Sequence, residues 1–457
     1  MQSPDQAPEV CVRCRNQKRK CDKLLPICSL CKRLGHPCHY KSLMVLGKSS
    51  AEPITTRSVT LFDADVLTLQ DIFEAIYARF KTAIGSESEA GRVASIYFRD
   101  FDSCFPIIDS AQFFEQLSSF WYLHQVEFRL LVLSIYLMTA IPEEGELSRK
   151  AQSLYIFIKS LIGTLDGIGI NSVELIQCRL LMTMFELGHG MCRSAYISVG
   201  ATVRGAAALK LHDEQLETSL DSSHVLKSRE TIARVKWAAQ LMDLLASVHT
   251  NSPSAFAMIA NTEVDDMEAR QMMSFGNQFA AVFRSLKILV LAMSHVHDST
   301  ARHAYNSARV MELQQVLNAL NDVLTQEAET SQLNNVSMAL CYSASMILLQ
   351  NWHHIWNHED EASEKNSLLF LERSMKEFIH QCRQLAKDAP LNELHGVLIF
   401  TAFPIYKAAS ILNYDSRRIK NLDRLQSIGT MKRALKNISR KWLIGKQYLE
   451  KIEEGNT

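Results

Sequence analysis

The sequence predicts an all-α protein in two unequal parts, and three observations carry that reading. Apolar residues recur at helical spacing nearly throughout residues 90–457, no strand-and-helix alternation or series of hairpin turns interrupts them, and a short cysteine-dense segment precedes them. The expected order is a disordered N-terminus at 1–10, a small two-helix module at 11–40, a linker at 41–60, an amphipathic helix at 61–84 and a large all-helical domain at 90–457.

The N-terminal ten residues, MQSPDQAPEV, lack the basic start and apolar core of a secretory signal. The longest apolar run, Leu130 to Ile141, is well short of the roughly 20 residues a membrane span needs. A reducing intracellular setting without a membrane partner is therefore expected, and there a dense cysteine cluster points to metal rather than to disulfides.

The module holds six of the chain's eleven cysteines as Cys11-x2-Cys14-x6-Cys21-x6-Cys28-x2-Cys31-x6-Cys38, one C-x2-C-x6-C unit used twice. One tetrahedral zinc would strand two thiolates, and two separate zincs would need eight. Six fill eight positions if two of them bridge, so two Zn²⁺ are expected with Cys11 and Cys28, the first cysteine of each half, as the bridges. A two-Cys, two-His finger built on Cys28, Cys31, His36 and His39 fails on spacing, because the gap to the first histidine is far short of about 12 residues.

A segment this short cannot bury enough apolar surface to fold alone, so metal must supply the folding free energy, about 10–16 kcal/mol for structural zinc in comparable peptides. Two Zn²⁺ and six thiolates carry a net negative charge that repels DNA. Arg13, Arg15, Lys18, Arg19, Lys20, Lys23, Lys32 and Arg33 surround it, against Asp22 alone. Residues 1–50 contain ten Lys and Arg and three Asp and Glu, a net +7 that the rest of this formally neutral chain balances with −7. A basic head of this kind is the footprint of nucleic-acid binding.

With its six cysteines, Arg15, Lys18, Lys20, Asp22 and Pro26, the segment resembles the fungal-type zinc binuclear cluster DNA-binding domain. The resemblance implies one zinc on Cys11, Cys14, Cys21 and Cys28 and the other on Cys28, Cys31, Cys38 and Cys11. It also implies a first short helix, beginning near Cys14, that points its C-terminal end into the major groove of double-stranded DNA. Lys18 would read bases there, typically in a CGG triplet, and Arg15, Arg19, Lys20 and Lys23 would contact phosphate. The bases from Arg13 to Lys23 also suit a nuclear import receptor, so a nuclear location is expected.

Residues 41–60 are rich in small, polar and turn residues, including Gly47 and Pro53, and read as a linker. In 61–84, Leu69, Ile72, Ile76 and Phe80 recur at helical spacing. Two uses compete for that stripe: a short coiled coil making a homodimer, or the first helix of the following domain. Asp63, Asp65, Asp71 and Glu74 interleave with its apolar residues, a pattern also used by activation segments that contact the transcription machinery.

In the body, residues 171–187 form one expected helix, with Asn171 and Glu174 as its N-terminal cap and Gly188 as its stop. Residues 195–209 form its hairpin partner, where Ala201, Gly205 and Ala208 permit close packing. Tyr97 to Phe114, Ser172 to His212 and Arg234 to Pro253 resemble pieces of the fungal-specific transcription-factor regulatory domain. Leu244 stands where a base is common in that family, and HTNSP replaces the usual Gly-Arg-Pro.

No catalytic constellation emerges, and no enzyme is expected. His354 and His358 share a helix face without the glutamate of a zinc protease, and His295 and His297 diverge on a helix. Cys104, Cys178, Cys192, Cys341 and Cys382 are scattered and read as free thiols, and Lys432 to Lys446 as a solvated basic helix face. The leading expectation is a nuclear, sequence-specific RNA polymerase II transcription factor, an activator, controlling a biosynthetic gene cluster for a secondary metabolite. The alternatives are a regulator of nutrient catabolism or drug response with a small-molecule-sensing helical body, and a helical scaffold or enzyme with a structural zinc knob.

Overall fold

The structure, a computed structural model, describes residues 10–24, 28–34, 38, 69–119, 126–209, 222–254, 277–297, 305–327, 332–356, 375–376, 378–387, 398–416 and 422–454. The linker at 41–60, residues 1–9, the acidic start of the amphipathic segment at 61–68, Pro26 and His358 lie outside the described residues. The chain divides into two compact units, Met1–Val66 and Leu67–Thr457.

In the first unit two five-residue helices, α1 (Val12–Asn16) and α2 (Ser29–Arg33), surround the cysteines. Neither is long enough to stand alone in water. Their buried neighbours are Cys11, Cys14, Cys28 and Cys31, so sulfur rather than an apolar side-chain core occupies the centre.

The second unit is all-helical among its described residues. α3 (Leu69–Ala83) opens it, and its stripe of Ile72, Ile76 and Phe80 is buried, packed with α6 (Val126–Met138). The apolar seam of the amphipathic segment therefore lies inside the body. α4 (Glu87–Tyr97) continues into a π-helical turn, Phe98–Asp102, and α5 (Ser110–Ser119) follows under an Asp109 cap, whose Oδ1 accepts from the Gln112 amide at 2.8 Å.

α8 (Val173–Gly188) is the central rod, buried from Leu175 to Gly188. α6, α7 (Arg149–Gly167), α9 (Cys192–Ala208) and α10 (Ser222–Thr250) pack around it, which accounts for its lack of a polar face. Ser172 caps this helix, its Oγ accepting from the Leu175 amide at 3.2 Å, whereas Asn171 donates across to the Gly205 carbonyl at 3.0 Å. The stop is Gly190, at φ +74°, with Met191 N–H reaching the Glu186 carbonyl and Gly190 N–H the Leu187 carbonyl. Gly188 serves packing instead: a Cβ there would overlap the Trp442 ring. In α9 the close approach is at Gly205, where a Cβ would meet Arg179 and Ile176, while Ala201 and Ala208 face outward and Ala206 is buried.

α11 (Asn277–His297), α12 (Tyr305–Glu327), α13 (Gln332–Trp356) and α14 (Leu398–Ser416) extend the core. Within α11 the stretch Phe279–Val296 is long and apolar enough to cross a membrane by length and composition, and 61% of it is buried inside the protein, chiefly against α13. α15 (Leu422–Ser439) and α16 (Ile444–Glu454) close the chain. Between them Lys441 is buried, its Nζ 3.2 Å from Asp100 Oδ2 and 4.8 Å from the centre of the Phe101 ring, so Lys432 to Lys446 is not a uniformly solvated face. Burial opposes ionisation of Asp100, but Arg99 and Lys441 hold its carboxyl below the ordinary range, and burial lowers Lys441.

Candidate metal centre and nucleic-acid interface

The two halves of the module are built alike. Cys11 precedes α1 at φ −62°, ψ 150° and its sulfur accepts from the Cys14 amide at 3.4 Å; Cys28 precedes α2 at φ −64°, ψ 149° and accepts from the Cys31 amide at 3.5 Å. The C-terminal residues match as well, Gln17 at φ −92°, ψ 6° and Leu34 at φ −91°, ψ 2°. Sulfur thus takes the role that Ser or Asp oxygen plays at ordinary helix starts. An anionic sulfur in that position receives an amide hydrogen bond and the positive end of the helix dipole. Because Cys11 is the cap, α1 starts at Val12 rather than near Cys14.

The six Sγ atoms form two overlapping tetrads, Cys11, Cys14, Cys21, Cys28 and Cys11, Cys28, Cys31, Cys38, each with its sulfurs within 4.8 Å of one another. All six are free thiols, and Cys11 Sγ lies 3.9 Å from Cys28 Sγ and 3.8 Å from Cys31 Sγ, with Cys14 Sγ 3.8 Å from Cys28 Sγ. A disulfide needs about 2.05 Å. Four sulfurs about 2.3 Å from a tetrahedral zinc are about 3.8 Å apart, the spacing found here. The donor set and its dimensions fit two zinc ions sharing Cys11 and Cys28.

Without metal Cys11, Cys14 and Cys31 do not ionise together. Burial and neighbouring sulfurs push Cys31 up to about 12 and raise Cys14 further, whereas Cys11, despite burial, is lowered to about 6 by hydrogen bonds led by the Cys14 amide. A divalent cation in each tetrad supplies the charge that a full set of thiolates requires.

Asp22 joins the halves. Its Oδ1 and Oδ2 each lie 3.2 Å from the Ser29 amide and Oδ1 lies 3.5 Å from the Leu24 amide, so the carboxylate also caps α2. The Ser29 hydrogen bonds lower its pKa. Asp22 was recognisable as part of the sequence resemblance, but its partner seven residues away was not.

The basic residues sit on the outside of this frame. Arg15, Lys18, Arg19, Lys20, Lys32 and Arg33 are exposed, and Arg13 and Lys23 half-buried. Lys18 follows the C-terminus of α1 at φ +49°, its amide donating to the Arg15 carbonyl at 3.1 Å, and the Arg19 amide donates to the Cys14 carbonyl at 2.9 Å. A left-handed residue ends the helix there without glycine, and Lys23 has φ +60° on the strand of chain leading to Asp22's partners. Such conformations concentrate at functional sites.

The body's sequence departures are accommodated locally. Asp243, 1% exposed, accepts from Ser254 Oγ at 2.6 Å, so the serine that directly follows the unusual HTNSP segment satisfies a buried carboxylate. Cys104, Cys178, Cys341 and Cys382 are buried thiols that burial pushes upward, as inert core cysteines are.

Comparison with known proteins agrees with both units. The model of the fungal Zn(2)-Cys(6) binuclear cluster domain, a domain that holds two zinc ions, matches residues 9–43, and that of the fungal specific transcription factor domain matches residues 94–438, about three quarters of the chain. Transcription factor BOA15 of Botryotinia fuckeliana (strain B05.10) is 30% identical over 118 residues, which is 26% of this chain and 65% of that protein. The chain thus spans about two thirds of the length of this relative. These matches are to transcription factors and not to enzymes, and they remove the reading of an enzyme with a zinc knob. A thiol cluster of two-zinc dimensions followed by a helical body that matches over three quarters of the chain leads to one conclusion: this chain belongs to the fungal specific transcription factor family, with a Zn(2)-Cys(6) binuclear cluster domain at its N-terminus.

Proposed function

We propose that this protein is a nuclear activator of RNA polymerase II transcription that reads CGG-like triplets through its cysteine module. The observation carrying the reading is the pair of thiol tetrads that share Cys11 and Cys28, together with the exposed Lys18 just past the end of α1, the helix that Cys11 caps. Cys11, Cys14, Cys21 and Cys28 would hold one zinc and Cys28, Cys31, Cys38 and Cys11 the other. Bound zinc supplies the crosslinks that fix α1 and α2 in place of an apolar core.

Lys18 is the base reader in this account, because a lysine at the helix end suits the O6 and N7 acceptors of guanine in the major groove. Arg15, Arg19, Lys20 and Lys23 position the module on phosphate. Since the stripe of α3 packs inside the body, a homodimer would use another surface, and the body would serve regulation and contacts with the transcription machinery. The target genes are those of a biosynthetic cluster for a secondary metabolite, an expectation that rests on the resemblance and the compact size of the chain.

Genome-wide mapping of sites bound by the intact protein tests this. Enriched CGG-like triplets upstream of one co-located set of biosynthetic genes, whose transcripts fall on deletion of the regulator, are expected. Sites without a triplet, or transcripts that rise on deletion, would overturn the reading. A second reading, a regulator whose helical body senses a small molecule, is favoured by one cavity in that body.

A further inference from the structure

The body contains a cavity of about 400 Å³ where the starts of α5 and α8 meet α6 and α10. Its floor is apolar: Ile108, Phe113 and Leu131 line it and are each no more than 4% exposed. Its charged lining is of one sign, Asp109, Glu115 and Glu174, with no Lys, Arg or His among the described lining residues. Asp109 and Glu174 stand at helix starts, where the dipole alone favours a carboxylate, so these acids identify no ligand by themselves.

Gln177 adds an independent constraint. It lies one turn after Val173 on the same face of α8, is 5% exposed and lines the cavity. Its Nε2 donates to the Ile107 carbonyl at 2.7 Å, which fixes which end of the amide is which. Oε1 is left as an acceptor without a hydrogen-bond donor among the described residues. A nearly buried acceptor in a cavity with an apolar floor, whose lining also includes the exposed Asp109 and Glu115 and the half-buried Glu174, suits a donor that carries positive charge.

We propose that this cavity binds a small organic cation, an ammonium group on an apolar body, with the ammonium facing Gln177 Oε1 and the carboxylates and the apolar part lying on Ile108, Phe113 and Leu131. A carboxylate or phosphate ligand would meet like charge there, and only the neutral donors Gln112, Gln116 and Thr231 in place of a cationic side chain among the described lining residues. Because α8 is the central rod and α10 packs on it, occupancy would be felt in the core of the regulatory domain. The proposal does not rest on the DNA-binding reading, and its failure leaves that reading intact.

The test is calorimetric titration of the zinc-loaded full-length chain with 4-phenylbutylamine and, as a matched anion, 4-phenylbutyrate. Saturable binding of the amine alone is expected, weakened about threefold to tenfold by Glu174→Gln. Ala111→Trp, which fills the cavity from an exposed lining position, should abolish it. Circular dichroism verifies that each variant keeps its helices, and the exposed Glu115→Gln replaces any variant that does not. Equal binding of amine and acid, amine binding unchanged in Ala111→Trp, or no amine binding at millimolar concentration to folded protein would each overturn the proposal.

Discussion

Cys11 Sγ and Cys28 Sγ lie 3.9 Å apart, and each caps the helix that follows it. The two sulfurs common to both tetrads each accept the backbone amide three residues on, at the start of their helix, while Cys38 Sγ accepts the Cys28 amide at 3.4 Å. A bridging thiolate shares its charge between two cations, and the amide bond with the helix dipole helps keep it anionic.

Cys28→Ser should consequently disturb both metals, whereas Cys14→Ser removes a ligand from one tetrad. Native mass spectrometry should find two zincs on the wild-type chain, none or a loosely held one on Cys28→Ser, and one retained on Cys14→Ser. A Cys28→Ser chain that keeps two tightly bound zincs would show that this sulfur does not bridge.

Of the exposed bases of the module, Arg15, Arg19 and Lys20 should act through phosphate. Arg15→Ala and Lys20→Ala are each expected to weaken binding alike on cognate and random duplexes and to reduce the slope of log affinity against log salt by about 1. Fluorescence anisotropy over a salt series reads both effects; a substitution that changes sequence preference and leaves the slope unchanged would reassign that residue to base reading.

Gly188 and Gly163 separate packing from helix propensity in the body. A Cβ at Gly188 meets the Trp442 ring, and one at Gly163 meets nothing. Gly188→Ala should cost about 1–3 kcal/mol by overpacking, while Gly163→Ala should stabilise by up to about 1 kcal/mol. Urea unfolding of the helical body measures both, and a neutral Gly188→Ala would mean that the contact with Trp442 relaxes freely.

His189 makes the body sensitive to acid. It is 4% exposed between Phe185 and Trp442, neither ring nitrogen has a hydrogen bond, and burial lowers its pKa to about 3. The unfolded chain titrates near 6.5, so between about pH 6.5 and 3 the unfolded state binds the extra proton and stability falls as pH falls. The slope from this residue is at most about 1.4 kcal/mol per pH unit, or roughly 2 kcal/mol lost by pH 5. His189→Phe should flatten that dependence without destabilising the protein at pH 7; an unchanged pH profile in thermal melts would place the titration elsewhere.

How far the sequence could be read follows the range of each interaction. Six cysteines at fixed short spacings disclosed the metal module, because ligand spacing is a local constraint, and the 3.6-residue period disclosed the helical body. Boundaries shifted where two residues compete for one cap: Ser172 holds the Leu175 amide, and Asn171 instead reaches Gly205. The fate of the α3 stripe was undecided in sequence, since burial against α6 and pairing with a second copy demand the same apolar spacing. Long-range contacts left no local signal. Lys441 pairs with Asp100 from 341 positions away, and Asp22 reaches Ser29 across the module's two halves. Gln177 likewise reads as one more polar residue on a buried helix until the cavity beside it is seen.

The central claim, that this cysteine module reads DNA through the end of α1, is tested most directly by selecting bound duplexes from a random pool with the zinc-loaded full-length chain and its Lys18→Gly variant. Glycine tolerates the left-handed backbone at this position and removes only the side chain. Wild type should enrich CGG-like triplets, and Lys18→Gly should lose roughly 1–3 kcal/mol of discrimination while keeping most of its affinity for random DNA. Equal enrichment by both proteins, or an equal loss of affinity on all sequences, would contradict it.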